Sequence, residues 1–189
     1  TVELVTGVHL DGYLEIGFDG FANVVDAVGG VQVCPEQALQ DSYSGLDIPA
    51  GCSDLDGHQA LAYVRMRYAD PRGDIGRAER QREIISKVVT KAASPASVIN
   101  PVRYWRLNQA AGQMLRRGDD TSTTDLIGAA QALVNIAGDE GLSLMVPISD
   151  PAGVSPEGAS VIIWDRENAL ALFDEISRGD TSQLDRFVG

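Results

Sequence analysis

Six arginines fall within residues 63–82, "YVRMRYADPRGDIGRAERQR", of a 189-residue chain whose formal net charge is −12. The same stretch contains three acids, which are Asp70, Asp74 and Glu79. Because burying an unpaired guanidinium is costly, a fold has to provide each buried arginine with an acid or a bound anion. The segment therefore predicts a site at which guanidinium groups outnumber the carboxylates beside them.

The residues around these arginines predict two helices. "DLDGHQALAY" has a capping-box pattern, with Asp56 as N-cap and Gln59 three residues later, and this predicts a short helix over residues 57–63. A second helix is predicted from near Asp74 to about Ala93, where apolar residues recur on one face. The arginines thus lie at the end of one helix and the start of the next.

The arginine side chains converge if the chain between the helices is extended. Residues 64–68 are predicted to be extended, because Arg65 and Arg67 then share one face, about 7 Å apart. The core-facing stripe of the second helix begins with Arg77 and Gln81, close to N-terminal N–H groups that favour anions. The side chains predicted to bind a phosphate or pyrophosphate are those of Arg65, Arg67, Arg77, Gln81 and, as a weaker candidate, Arg80.

Asp74 belongs to this cluster, and its spacing leaves three roles open. It can orient an arginine, help to hold a metal ion, or act as a general base. For any single arginine, an internal ion pair with Asp70 or Asp74 is the simpler interpretation. That interpretation fails for the group, because three acids do not neutralise six guanidiniums and Glu79 faces away.

The chain as a whole predicts one α/β domain over residues 1–189. A strand at 13–18, a short helix capped by Asp19 and a strand at "VQVC" indicate a βαβ unit. Further helices are predicted at 101–117, ended by Gly118, at 123–137, and at 166–178, capped by Asp165 and ended by Gly179, with strands at "LSLMVPIS" and "SVIIWD".

The overall charge restricts the partners that the chain can have. A net charge of −12 argues against binding to nucleic acid or to an anionic membrane surface. No apolar run approaches the length of about 18 residues that a membrane-spanning helix needs. The positive charge is nearly all arginine, whose planar fork suits phosphate.

Two cysteines, Cys34 and Cys52, bracket a polar loop. Neither has a second Cys or a His at the spacing of a zinc site. Their positions leave two states open, which are reduced thiols and a disulfide that closes the loop. A disulfide would place the domain outside the cytosol.

"ALAYVRMRYADPRGDIGRAERQ" resembles the signature of the LytR-CpsA-Psr proteins, in which R-x-R is followed by D-x-x-R and then by R-Q. The resemblance continues upstream through "GFDGFANVVDAVGGVQV" and "DLDGHQALAYVR", and it spans roughly residues 4–85. The cysteines around "SGLDIPAGC" resemble the actinobacterial branch. With this family assignment, a Cys34–Cys52 disulfide is predicted.

The resemblance implies a membrane-anchored, extracytoplasmic phosphotransferase of Gram-positive cell-wall assembly. Such enzymes transfer a glycopolymer from a polyprenyl-pyrophosphate carrier to peptidoglycan, and the actinobacterial branch implies arabinogalactan or a related glycan. The implied fold is an α/β/α sandwich with a mixed central sheet and a hydrophobic pocket for the lipid. The motif matches catalytic positions at Arg65, Arg67, Asp74 and Arg77, and pyrophosphate-binding positions at Arg65, Arg67, Arg77, Arg80 and Gln81.

Two features of the family are expected outside this chain. Its magnesium-binding aspartates and its membrane anchor belong to an N-terminal portion that, on this resemblance, the chain lacks. Mg²⁺ ligands are therefore expected from that portion, and no metal ligand is assigned here. Two alternative functions are a non-catalytic cell-envelope module that binds polyprenyl phosphate and a nucleic-acid-binding regulator, which the net charge disfavours.

Overall fold

A computed structural model of the chain describes residues 1–10, 13–67, 70–117, 121–137, 144–179 and 182–187. The chain divides into a larger unit formed by residues 12–138 and a smaller one formed by residues 1–11 and 139–189. The sequence, by comparison, predicts one domain over residues 1–189. The arginine-rich segment and both cysteines belong to the larger unit.

The larger unit combines short strands with helices. Its strands are β1 (Leu14–Ile16), β2 (Val31–Val33), β3 (Leu39–Asp41), β4 (Leu46–Ile48), β5 (Ser53–Leu55) and β6 (Leu115–Arg117). Its helices are α2 (Phe18–Ala27), α3 (Gly57–Arg65), α4 (Gly73–Ala93), α5 (Pro95–Ile99), α6 (Pro101–Met114) and α7 (Thr123–Ala137).

The described strands of this unit form antiparallel pairs, in which β1 joins β6, β2 joins β5 and β3 joins β4. The predicted mixture of helices and strands is confirmed. The βαβ unit predicted from β1, α2 and β2 is wrong in its pairing, because β1 and β2 each bond to a different antiparallel neighbour. The predicted helix 101–117 is also too long, since Leu115–Arg117 pairs with β1 as a strand. Its predicted end, Gly118, lies outside the described residues.

A local sequence signal accounts for the start of α3, the helix before the arginines. Asp56 caps α3 through the predicted capping box, its Oδ1 accepting the N–H of Gln59 at 2.8 Å. Helix α4 covers the predicted range with one further residue at its start. Helix α2, by contrast, has Gly17 as its N-cap, and Asp19 lies within its first turn.

The core of the larger unit packs around α3. Gly57, the first residue of α3, lies against the backbone of Ala22 in α2, so closely that a Cβ would collide with the Ala22 carbonyl. Glycine therefore permits the close approach of these two helices. The fully buried apolar side chains come from α2, β2, β4, β5, α3 and α4, and include Val25, Val31, Val33, Ile48, Leu55, Ala60 and Ile84.

A disulfide between Cys34 and Cys52 closes the loop that contains the β3–β4 hairpin. The two cysteines are separated by 18 residues along the chain. Beside the bond, the N–H of Gly51 donates to the carbonyl of Pro35 at 2.9 Å. The hairpin is thus closed by a covalent link at its base.

Replacing both cysteines by serine is expected to lower the free energy of unfolding by about 3 kcal/mol, because the cross-link restricts the unfolded chain. Urea unfolding of the oxidised wild-type protein and of the double variant measures this difference. Reduction of the wild-type protein should bring its midpoint to that of the variant. A variant as stable as the oxidised protein would contradict the prediction.

The smaller unit contains α1 (Val2–Thr6), the antiparallel pair of β7 (Ile148–Val154) and β8 (Ser160–Trp164), and α8 (Arg166–Arg178). The predicted bounds of α8 are confirmed, with Asp165 accepting the N–H of Asn168 and Gly179 ending the helix at φ 68°. The strand predicted at "LSLMVPIS" is displaced, since β7 begins only at Ile148, near the end of that stretch. Residues 142–143 of the stretch lie outside the described part. Within the described ranges, none of the helices combines the length and the apolar composition that crossing a bilayer requires.

Candidate functional site

Helix α3 ends at Arg65, where its backbone groups begin to bond outside the helix. Met66 follows with φ −55° and ψ 131°, which is extended backbone. The N–H of Arg67 donates to Asp41 Oδ2 at 3.2 Å. The predicted extended stretch 64–68 is therefore wrong at residues 64 and 65, which are helical, and the chain becomes extended at Met66. Residue 68 of this stretch lies outside the described residues.

Arg80, on α4, forms hydrogen bonds to backbone carbonyls at the end of α3. Its residue surface is 6% exposed, its Nε donates to the carbonyl of Tyr63 at 3.2 Å, and its Nη2 donates to the carbonyl of Met66 at 2.5 Å. Its Nη1 pairs with the carboxylate of Asp70. All three guanidinium nitrogens therefore bond within the protein. Arg80 is not among the side chains that line the cavity described next.

Arg65, Arg67 and Arg77 line one cavity of about 390 Å³. Gln81, the fourth predicted ligand, lines it as well, and its Nε2 lies 3.4 Å from the carbonyl of Val64. The end of α3 and the first turns of α4 thus bring together four of the five predicted side chains. The rest of the wall is formed by Phe18, Asp41, Tyr43, Ser44 and Val64. The prediction that Arg77 and Gln81 begin the core-facing stripe of α4 is wrong, because the buried residues of this helix are Gly76, Arg80 and Ile84.

Asp74 lies between two of these arginines. Its Oδ1 is 3.2 Å from Arg67 Nε and 3.0 Å from Arg77 Nη2. This oxygen is buried, yet no described donor approaches it with hydrogen-bond geometry, so both contacts are ion pairs without a directed hydrogen bond. The carboxylate is placed to orient both guanidiniums, which is one of the three roles that the sequence left open.

The other two acids of the segment, Asp70 and Glu79, form ion pairs with arginines that do not line the cavity. Asp70 pairs with Arg80 and also lies 3.5 Å from Nε of Arg72, whose Nη1 pairs with Glu79. Asp74 is therefore the acid of this segment that contacts the cavity arginines. Among the described residues, the cavity therefore has three guanidiniums, those of Arg65, Arg67 and Arg77, beside the two carboxylates of Asp41 and Asp74.

A second cavity, of about 290 Å³, adjoins the first and is lined mainly by apolar side chains. Phe18, Val64, Arg65 and Gln81 line both cavities. The guanidinium carbon of Arg65 lies 5.1 Å from the centre of the Phe18 ring, a cation–π distance. The remaining wall of the second cavity consists of Ile16, Phe21, Leu61 and Ile85. The two cavities together fit an anionic head attached to an apolar tail.

Asp41, which contributes to the site from another part of the chain, was not predicted from the sequence. Asp41 is 5% exposed and precedes Arg67 by 26 residues. Its position at the end of a three-residue strand carries no recognisable motif. The aliphatic residues of the second cavity were missed for a similar reason, because they have the composition of an ordinary core.

The residues of the site do not by themselves form a magnesium site. Among the described residues, no group of three or more His, Cys, Asp or Glu side chains is placed to hold a metal ion. Asp41 accepts backbone N–H groups and Asp74 lies against two guanidiniums, so each carboxylate is already engaged. That the ligands of a magnesium ion come from outside this chain stays a prediction.

Comparison with known proteins relates this site to one family. Residues 1–177 match the LytR_cpsA_psr family. LcpB of Corynebacterium glutamicum, a probable cell wall biosynthesis protein, is 40% identical over 176 residues, which make up 93% of this chain and 41% of LcpB. The polyisoprenyl-teichoic acid–peptidoglycan teichoic acid transferase TagU of Enterococcus faecalis is 45% identical over 100 residues, 53% of this chain and 32% of TagU.

The fold agrees with this relationship. The crystal structure of a Streptococcus agalactiae protein aligns with a TM-score of 0.73 at 24% identity, over 99% of this chain and 63% of that one. The chain spans about two fifths of the length of LcpB and about a third of that of TagU. With its family match over residues 1–177 and its similarity to a corynebacterial relative, the chain belongs to the LytR_cpsA_psr family, in its actinobacterial branch.

Proposed function

We propose that this chain is part of a phosphotransferase that moves a glycopolymer from a polyprenyl-pyrophosphate carrier to peptidoglycan. The observation that carries the proposal is the pair of adjoining cavities, one lined by Arg65, Arg67 and Arg77 and the other by apolar side chains. A pyrophosphate head bound in the first leaves its prenyl chain at the entrance of the second. The names of LcpB and TagU support a role in building the cell wall.

The arginines would act by binding the pyrophosphate and stabilising the group that leaves. A hydroxyl of peptidoglycan attacks the phosphorus that carries the glycan, the bond between the two phosphates breaks, and polyprenyl monophosphate departs with the additional negative charge. Guanidiniums that are already in place stabilise this charge without rearranging. The proton of the hydroxyl passes to a carboxylate, either Asp74 or an acid outside this chain. We assign Asp74 to orienting Arg67 and Arg77, because its Oδ1 lies within 3.2 Å of both.

The finer parts of the proposal rest on the resemblance and on the disulfide. A Cys34–Cys52 bond is typical of an oxidising compartment, which supports an extracytoplasmic location. Arabinogalactan or a related glycan as the polymer rests on the resemblance to the actinobacterial branch. We place the membrane anchor and the magnesium ligands in parts of the protein outside this chain.

Extraction of the full-length protein with organic solvent, followed by mass spectrometry, tests for the carrier. The expected result is a polyprenyl phosphate or pyrophosphate in the extract, since the two cavities bind its head and the start of its tail. The Arg106→Ala variant, altered at an exposed position on α6 away from both cavities, should carry the same lipid. An extract of the wild-type protein without any prenyl phosphate would contradict the proposal.

A transfer assay separates the enzyme from a module that only binds. The full-length protein is mixed with lipid-linked glycan and peptidoglycan, with and without Mg²⁺. The proposal expects glycan joined to peptidoglycan through a phosphodiester in the presence of the metal. A protein that carries the lipid but transfers nothing under either condition would instead be the non-catalytic binding module.

A further inference from the structure

We propose that Asp41 is a positioning residue that places Arg67 in the cavity, an inference that rests on the proposed function. Asp41 ends strand β3 and is 5% exposed. Its Oδ2 accepts the N–H of Arg67 at 3.2 Å, and its Oδ1 accepts the N–H of Tyr43 at 2.9 Å. One buried carboxylate thereby links two segments of the cavity wall.

The bond to Arg67 occurs where α3 stops being a helix. In a helix continued past Arg65, the N–H of Arg67 would donate to the carbonyl of Tyr63. That carbonyl instead accepts Nε of Arg80 at 3.2 Å, while the N–H turns to Asp41. Asp41 and Arg80 thus separate a donor and an acceptor that a longer helix would have joined.

The direction of the Arg67 side chain depends on this change of backbone. On a continued helix, Arg65 and Arg67 would point about 200° apart. With Met66 extended, both arginines line the same cavity, and Nε of Arg67 comes within 3.2 Å of Asp74 Oδ1. Asp41 therefore acts on the anion site through Arg67, by determining where that residue leaves the helix.

The other oxygen of Asp41 holds the β3–β4 turn, which forms a further part of the cavity wall. Tyr43 and Ser44 line the cavity from the β3–β4 turn. The carbonyl of Asp41 accepts the N–H of Gly45 at 2.8 Å, and Gly45 closes the turn at φ 78°. The same residue thus anchors both the turn and the arginine segment to the end of β3.

The test measures the affinity of the full-length protein for inorganic pyrophosphate by calorimetry. Asp41→Asn keeps the size of the side chain but replaces one acceptor oxygen by a donor, and we expect its Kd for pyrophosphate to rise about tenfold. The control is Asp47→Asn on β4, an exposed carboxylate that accepts Nε2 of Gln40 at 3.0 Å and lies outside the cavity wall. Its Kd should equal that of the wild-type protein.

A double-variant cycle separates positioning from a general loosening of the fold. If Asp41 acts through Arg67, Asp41→Asn should change the Kd less than about twofold when Arg67 is already alanine. A tenfold change in both backgrounds, or no change in either, would overturn the inference while leaving the proposed function intact. A wild-type protein that does not bind pyrophosphate would overturn both.

A measurement on the wild-type protein keeps the inference testable should Asp41→Asn fail to fold. The amide of Arg67 lies beyond the end of α3, yet its bond to Asp41 should protect it from hydrogen exchange in the absence of ligand. Protection comparable to that of the α3 amides supports the inference. Exchange at the rate of an exposed loop would overturn it.

Discussion

Replacing Arg77 by alanine in the full-length protein is expected to lower the rate of glycan transfer to peptidoglycan at least about a hundredfold, as loss of a preorganised charge stabiliser does in other enzymes. Arg77 lines the cavity from the first turns of α4, and its Nη2 lies 3.0 Å from Oδ1 of Asp74. Its removal takes away one of three guanidiniums and leaves Asp74 beside Arg67 alone. A transfer assay with lipid-linked glycan measures the effect.

Two further variants test whether the loss of transfer is specific to the guanidinium group of Arg77. Arg106→Ala removes an exposed arginine from α6 and should transfer at the wild-type rate. Arg77→Lys keeps the charge but loses the planar fork, so its rate should lie between those of the wild-type protein and of Arg77→Ala. Normal folding of Arg77→Ala together with an unchanged transfer rate would remove Arg77 from the proposed site.

Replacing Asp70 by alanine is expected to lower the free energy of unfolding by about 3–5 kcal/mol, because it leaves a buried guanidinium without its partner. The side chains of Asp70 and Arg80 are 8% and 7% exposed. Arg80 would keep its bonds to the carbonyls of Tyr63 and Met66, but its charge would be unbalanced. Urea unfolding measures the loss, and a decrease below about 1 kcal/mol would contradict the prediction.

The pH dependence of stability provides an independent check on Asp70. Burial raises the pKa of this carboxyl, but the N–H of Arg72 and the guanidinium of Arg80 lower it more, so its pKa lies below the ordinary value. A carboxyl whose pKa is lowered by folding stabilises the fold above its unfolded pKa, and the contribution is lost as the pH falls toward the folded pKa.

The wild-type protein should therefore lose stability more steeply than Asp70→Ala as the pH falls below about 4. The matched control is Asp54→Ala, since Asp54 is an exposed acid on β5. That variant should retain the steep wild-type dependence. Parallel curves for the wild-type protein and Asp70→Ala would show that the Asp70–Arg80 pair contributes nothing to acid sensitivity.

Helices whose ends are marked by nearby residues were predicted well from the sequence. The bounds of α8 agree because Asp165 supplies the N-cap and Gly179 adopts the left-handed conformation that ends the helix. Helix α7 has its predicted bounds, and at its start Asp125 Oδ2 accepts the N–H of Ser122 while Ser122 Oγ accepts the N–H of Asp125. These signals act within a few residues of the helix end, so the sequence contains all of the relevant partners.

Elements whose limits depend on distant partners were predicted less well. Leu115–Arg117 continues a helical pattern but pairs with β1, about a hundred residues earlier. Helix α3 was predicted to end at residue 63 and ends at Arg65, because the partners that receive its last backbone groups lie on β3 and α4. Spacing along the chain does not reveal such partners.

By itself, the sequence determined that guanidiniums exceed acids in residues 63–82. Only the tertiary structure decided which arginines line the cavity. Arg80 bonds to Asp70 and two carbonyls, whereas Arg65, Arg67 and Arg77 line the cavity. The physical reason is that a buried charge or backbone group has to be paired wherever folding places it, and its partner can come from any part of the chain.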